Sequence, residues 1–127
     1  MYKLRTAVCI RMFPSNPKKQ AMLTEKIIRE AVARMVAVAH PSKVIMFGSY
    51  ARNEAKDDSD LDLMVIEQHV ENAGEEMVRL RNAVGHIGIG VDVLVYSDEE
   101  AARRSVIPGT LLYWAHKEGR ILYESGH

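Results

Sequence analysis

The chain has 127 residues, a length that fits one domain and hardly two. Apolar residues make up 47% and charged residues 27%, and 17 Lys plus Arg balance 17 Asp plus Glu, so the formal net charge is zero. That balance argues against a basic nucleic-acid coat, the single Cys9 excludes an internal disulfide or a thiolate zinc framework, and no apolar run approaches the roughly 18 residues of a membrane span.

Residues 1–21 carry Pro14, Pro17, Lys18 and Lys19 without clear periodicity. They read as a loose N-terminal extension, or as sequence upstream of a true start at Met22, ahead of a domain over residues 22–127. A weak strand signal covers residues 7–12. The apolar run 6–10 ends at Arg11, too short for a signal-peptide core, so a cytoplasmic protein is expected.

From Thr24 the pattern turns helical. Thr24 can cap, Glu25 suits the positive end of the helix dipole, and Ile27, Ile28, Ala31, Val32, Met35 and Val36 form one stripe. The helix should stop before Pro41. Residues 44–47 read as a buried strand, and 48–59 as a polar, irregular stretch. Leu61, Leu63 and Val65 alternate with Asp60, Asp62 and Met64, the period of a strand. Apolar residues at 70, 73, 77, 80 and 84 predict a helix, followed by a turn at Gly85, Gly88 and Gly90. Residues 91–96 form the strongest strand signal, with Asp92 inside it. Ser97 and Glu100 match a capping box, residues 110–117 are predicted helical with Gly119 as C-cap, and 120–123 close as a short strand. Helices and strands interleave, so the fold class is α/β or α+β, a small mixed sheet flanked by helices.

Chemistry concentrates in Gly48-Ser-Tyr-Ala-Arg52 to Ser59-Asp-Leu-Asp-Leu63. On a strand, Asp60 and Asp62 lean out on one face while Leu61 and Leu63 point inward. Two carboxylates so close repel, and a hard cation such as Mg²⁺ relieves that. Asp92 sits between Val91 and Val93, where a charge is costly unless it is paired, exposed or metal-bound. Should its strand lie beside that of Asp60 and Asp62, three carboxylates converge, enough to hold two Mg²⁺ ions. Gly48 permits close backbone approach to a ligand, Ser49 offers an N–H and a hydroxyl to phosphate oxygens, and Arg52 could hold a phosphate or brace the loop.

Gly-Ser, ten residues, then Asp-x-Asp resembles the signature of the nucleotidyltransferase fold shared with the DNA polymerase beta superfamily. The fuller run, with Asp92 in Val-Asp-Val-Leu-Val, is similar to the minimal nucleotidyltransferases, over about residues 22–124. One departure is Asn53, where relatives usually have Gly; Asn tolerates a left-handed backbone. The resemblance implies a site that binds ATP with Mg²⁺ and transfers AMP to a hydroxyl, with pyrophosphate released. Gly48 and Ser49 would cradle phosphates, joined by Arg52 and Ser59. Asp60 and Asp62 would bind both metals, and Asp92 would complete the catalytic metal site.

Only 35 residues follow Asp92, too few for the helical domain that larger relatives carry. The acceptor site is therefore expected to be completed in a complex. The resemblance implies a HEPN-domain toxin as partner, with this chain as antitoxin adenylylating one of its tyrosines. Ile107-Pro-Gly-Thr-Leu-Leu-Tyr-Trp114 is a candidate partner surface, although a Leu/Trp stripe on a helix is more often core. Arg103 and Arg104 read as helix surface rather than as an RNA or partner contact, Tyr50 as a packing or surface residue rather than a ligand contact, and Asp57 and Asp58 as solvated. The five histidines lack metal-ligand spacing. Two other functions stay open: a non-catalytic module that neutralises its partner by occlusion, and transfer to a small molecule or an RNA end, the latter disfavoured by zero net charge.

Overall fold

The computed structural model describes residues 17–56 and 58–125. Helix α1 (Pro17–Ala39) leads into β1 (Lys43–Phe47). A polar turn follows, then β2 (Leu61–Glu67), α2 (Ala73–Val84) and β3 (Val91–Ser97). Two short helices, α3 (Asp98–Ser105) and α4 (Leu111–Glu118), precede β4 (Arg120–Glu124). The strands form one mixed sheet in the order β3-β2-β1-β4. β1 runs antiparallel to both β2 and β4, and β2 runs parallel to β3 through the α2 crossover. The α/β class and the flanked mixed sheet are as the sequence predicts.

Side-chain alternation along each strand splits the core in two. On one face Val44, Met46, Leu61, Leu63, Val65, Val93 and Val95 pack against α1 (Ile28, Ala31, Val32, Met35) and α2 (Leu80, Val84). On the other, Ile45, Met64 and Ile66 pack against Ala101 of α3 and Leu112 and Ala115 of α4, with Phe47 and Tyr96 at the margin. The central strand β2 is therefore buried on both faces, except at Asp62. Helices α3 and α4 cover Ile45, Met64 and Ile66, leaving an open end at Asp62, half-buried, and Asp92, exposed. That gap positions the site.

Helix α1 departs from the sequence reading. It begins at Pro17, not at Thr24, so Thr24 lies inside the helix and caps nothing. Proline suits the first helical position, where its missing N–H leaves no bond unmade. Glu25 instead meets Arg120 of β4 at 3.2 Å. The end is as expected: α1 stops at Ala39, ahead of His40 (φ 47°) and the buried Pro41. Two arginines clasp α1 to α2, each reaching a carbonyl near the other helix's C-terminus. Arg34 donates to Val84 O at 2.8 Å and Arg79 to Val38 O at 3.0 Å. Such carbonyls have no partner within their own helix, and the negative end of the dipole favours a cation. The strand signal at 7–12 and Cys9 lie outside the described residues.

The later elements follow their caps. Asn72 accepts from Glu75 N–H, Ser97 from Glu100 N–H, and Thr110 from Tyr113 N–H. The Glu100 side chain does not complete a capping box; it pairs with Arg104 (3.1 Å) and Arg103 (4.0 Å), which accounts for those arginines as helix surface. Gly119 ends α4 as predicted, but with extended backbone (φ −79°). Glycine is needed there for space, because a Cβ would meet Ala115 O, the Ile45 side chain and Met46 O at 2.9 Å.

At the far end of β2, Glu67 is only 8% exposed, and its Oε2 has no hydrogen-bond partner among the described residues. Burial, then a hydrogen bond to Glu76 and repulsion from it, push the Glu67 carboxyl up to about 8. Glu76 shifts the opposite way, because Arg79 grips it at 2.9 and 2.7 Å.

Two predictions follow from this packing. Gly119→Ala should destabilise the fold by about 1–3 kcal/mol, read by urea denaturation, because backbone on two sides cannot yield. Between the ordinary carboxyl value of 4.5 and about 8, folded Glu67 keeps a proton that the unfolded chain has lost. Its contribution therefore makes stability fall as pH rises through that window, by at most about 1.4 kcal/mol per pH unit for one proton. Urea midpoints at pH 5.5 and 8.5 should show this fall, and Glu67→Gln should reduce it.

Candidate active site

The parallel register of β2 and β3 sets Asp62 directly beside Asp92, and Leu61 beside Val91. On its other side Asp62 pairs with Phe47, the last residue of β1. Asp62 and Asp92 thus occupy the uncovered end of the second sheet face, above Met64 and Ile66. Asp60, just before β2, completes the group. The Asp62 carboxyl is raised above its usual range by partial burial first, then by the negative charges of Asp92 and Asp60, with Arg52 opposing. Asp92 and Asp60 thus both lie close enough to act on Asp62 electrostatically. Among the described residues, however, no three acidic, His or Cys groups close round one point as a ready-made metal cage. The expected three-way convergence is looser than a preformed site: a tight neighbour pair, Asp62 and Asp92, with Asp60 alongside.

Two glycines keep the acids free. Gly48 has φ 76°, and a Cβ there would overlap Asp62 Oδ2. Sequence reading assigned Gly48 to ligand approach; the structure adds that it makes room for a carboxylate. Gly90 does the same for Asp60, since a Cβ would overlap Asp60 Oδ1, and its carbonyl accepts from Leu61 N–H at 2.8 Å. Gly90 was read only as part of a turn. Its spacing in a Gly-rich loop could not reveal a partner thirty residues away.

The Gly48-Ser49 segment is a turn, not the start of a regular helix. Arg52 N–H donates to Gly48 O at 3.2 Å, and Glu54 N–H to Ser49 O at 2.9 Å. A helix dipole therefore adds little here, and any anion would rely on local N–H groups. Ser49 is half-buried beside Asp62's strand end. Asn53 adopts φ 59°, so this position does require the left-handed backbone, and Asn supplies it. Tyr50 and Ala51 pack on the core, as expected for Tyr50.

Arg52 is exposed and pairs with Glu54 at 2.9 Å, bracing its own turn, and its charge still reaches Asp62, where it opposes the rise of that carboxyl. Ser59 accepts from Lys56 N–H at 2.7 Å while its own N–H donates to Lys56 O. Its hydroxyl oxygen is engaged in holding that loop. Asp57 and His127 lie outside the described residues, and Asp58 is exposed. His116 Nδ1 lies 2.9 Å from Leu112 O.

A cavity of about 430 Å³ opens from Asp62, Asp92 and Phe47 across β3 to α2. Helix α2 turns Gly74, Met77, Val78 and Arg81 toward it. These residues fall at i, i+3, i+4 and i+7, one helical face. Sequence reading took Met77 as an apolar core position and missed Arg81. The donor set fits a hard divalent cation: two neighbouring carboxylates, with Asp62 raised by partial burial and then by the charge of Asp92, open on one side to water or phosphate oxygens.

The fold resembles that of a crystal structure described as a nucleotidyltransferase from Sulfolobus solfataricus, with 20% identity, TM-score 0.55 and 78% of each chain covered. A toxin–antitoxin structure with AMP-PNP aligns at 16% identity and TM-score 0.48, over 77% of this chain and 74% of that one. No curated protein matches the sequence. The nucleotidyltransferase domain family matches residues 25–122, which hold β1, the Gly48-Ser49 turn and all three aspartates, and the chain belongs to that family.

Proposed function

We propose that the protein transfers AMP from ATP, with Mg²⁺, to a hydroxyl of a protein partner, a tyrosine of a HEPN-type toxin, and so acts as its antitoxin. The observation that carries the reading is the Asp62–Asp92 pair, set side by side by strand register at the open end of the sheet, next to the Gly48-Ser49 turn.

The roles follow from position. Backbone N–H groups of the 48–49 turn and the Ser49 hydroxyl would take phosphate oxygens. Asp62 and Asp92, together with Asp60, would hold Mg²⁺. Bound there, the metal supplies positive charge against the phosphates and lowers the pKa of an acceptor hydroxyl. The hydroxyl oxygen then bonds to the α-phosphorus as the bond to the β-phosphate oxygen breaks. Pyrophosphate leaves, and the hydroxyl proton passes toward Asp92 or solvent. Catalysis is positioning plus charge neutralisation.

Surface chemistry supports a protein partner. Val106 (74% exposed), Ile107, Leu111 and Trp114 (48% exposed) lie outside the core, while Leu112 and Ala115 fill it. The expectation that the Leu/Trp stripe is core thus holds for half of it, and Trp114 faces outward, where aromatic anchors serve interfaces. A purely occlusive module was motivated by Asn53. Its left-handed backbone preserves the turn and removes that motive.

The test is incubation with α-labelled ATP, Mg²⁺ and a HEPN protein from an adjacent reading frame. Label should appear on a partner tyrosine. Asp62→Asn and Asp92→Asn should each lower labelling by about 100-fold or more while the melting temperature without metal holds or rises, because a repulsion is removed. Mg²⁺ with ATP should raise the melting temperature of the wild type far more than that of either variant. Neutralisation of the partner without labelling, unchanged in both variants, would establish occlusion instead.

A further inference from the structure

The sheet order places the parts of the site in a line. The Gly48-Ser49 turn at the end of β1 lies on one side of Asp62, and Asp92 lies on the other. Beyond Asp92 comes the outer edge of β3, then the Gly74–Arg81 face of α2. With phosphates held at the turn, the space on the β3 side is left for the group that receives AMP.

That space has a definite character. Its body is apolar, walled by Met77, Val78 and Leu94, and Val78 is 57% exposed. Arg81 stands on the same wall, and its guanidinium has no ion-pair partner among the described residues. β3 is an edge strand, and among the described residues no backbone bond outside the sheet or the helices engages its outer groups. An extended polypeptide can pair with such an edge. A small polar acceptor would leave the apolar wall unused, whereas a phenol fills it with its ring and carries its hydroxyl at the tip.

Resting on the functional reading above, we infer that the groove between β3 and α2 is the acceptor subsite, and that Arg81 selects a tyrosine flanked by an acidic residue. The tyrosine ring lies against Met77, Val78 and Leu94 with its hydroxyl toward Asp92. Arg81 pairs with the neighbouring carboxylate, offsetting the repulsion that Asp92 exerts on it. Arg81 is a specificity determinant here and touches neither ATP nor the reacting atoms. The reaction balances as above: the phenol oxygen gains the α-phosphoryl group, pyrophosphate departs, and one proton is released.

The experiment uses two capped dipeptides, acetyl-Glu-Tyr-amide and acetyl-Lys-Tyr-amide. Each is titrated by NMR into the methyl-labelled full chain with Mg²⁺ and a non-hydrolysable ATP analogue. The Met77, Val78 and Leu94 methyls should shift, and the Glu-Tyr peptide should bind several-fold tighter than Lys-Tyr. Arg81→Ala should erase that preference, and Val78→Asp should weaken both peptides; both positions are exposed, so the fold should tolerate the changes. Shifts elsewhere, or a preference that survives Arg81→Ala, would overturn the assignment. So would a several-fold loss of affinity for the ATP analogue in Arg81→Ala, since the groove would then belong to the nucleotide. Failure of the wild type to bind the analogue at all would instead overturn the transferase reading, whatever the peptides do.

Discussion

The parallel pairing of β2 with β3 is the constraint on which the site depends. Its register puts Asp62 beside Asp92 on the face that α3 and α4 leave open. Strand side chains alternate, so a slip of one residue would turn Asp92 inward and Val93 outward. The buried Val93 and Val95, packed with Leu80 and Val84 of α2, oppose that slip. Each large apolar side chain taken from water contributes roughly 1.5–3 kcal/mol, so hydrophobic packing on one face fixes the position of charges on the other. The crossover helix that makes a parallel pair possible also walls the groove beside Asp92.

Holding acids together opposes stability, and the fold manages it by placement. Asp62 and Asp92 sit at the solvent end of the sheet, where repulsion is screened and a ligand can relieve it. Gly48 and Gly90 keep Cβ atoms out of the space the carboxylates occupy. At the opposite end of β2, Glu67 is handled differently: it is buried against Glu76 with its proton retained, while Arg79 holds Glu76 and also ties α2 to α1. One strand thus carries an open acid pair at one end and a closed one at the other. Only the open pair has room for a metal or substrate.

Much of this was legible in the residues. The alternation of Leu61, Leu63 and Val65 with Asp60 and Asp62, and the apolar 91–96 run, gave both key strands and the outward aspect of the acids. The 3.6-residue spacing from 70 to 84 gave α2, although Asn72 caps the helix and leaves Val70 outside it, and Ser97, Thr110 and Gly119 marked their helix ends. What failed needed contacts distant in sequence. Pro17 looked like a breaker, although proline at a first helical position is compatible with the helix. Gly90 looked like a turn glycine because its partner, Asp60, is brought to it only by the sheet. Gly119 was read for backbone freedom when its role is space. Arg81 belonged to no motif, because its meaning comes from facing Asp92 across a cavity. Trp114 could not be divided from Leu112 by periodicity, since α4 is too short to show which side is core.

The central claim is that Asp62 and Asp92 form the metal-binding heart of a nucleotide site. Crystals of the protein grown with Mn²⁺ and a non-hydrolysable ATP analogue test it most directly, through the anomalous signal of manganese. The account predicts a peak between the Asp62 and Asp92 carboxylates, with phosphate oxygens on the same ion and running toward the Gly48-Ser49 turn. Nucleotide bound with no manganese at that pair, or with the ion held elsewhere, would contradict it.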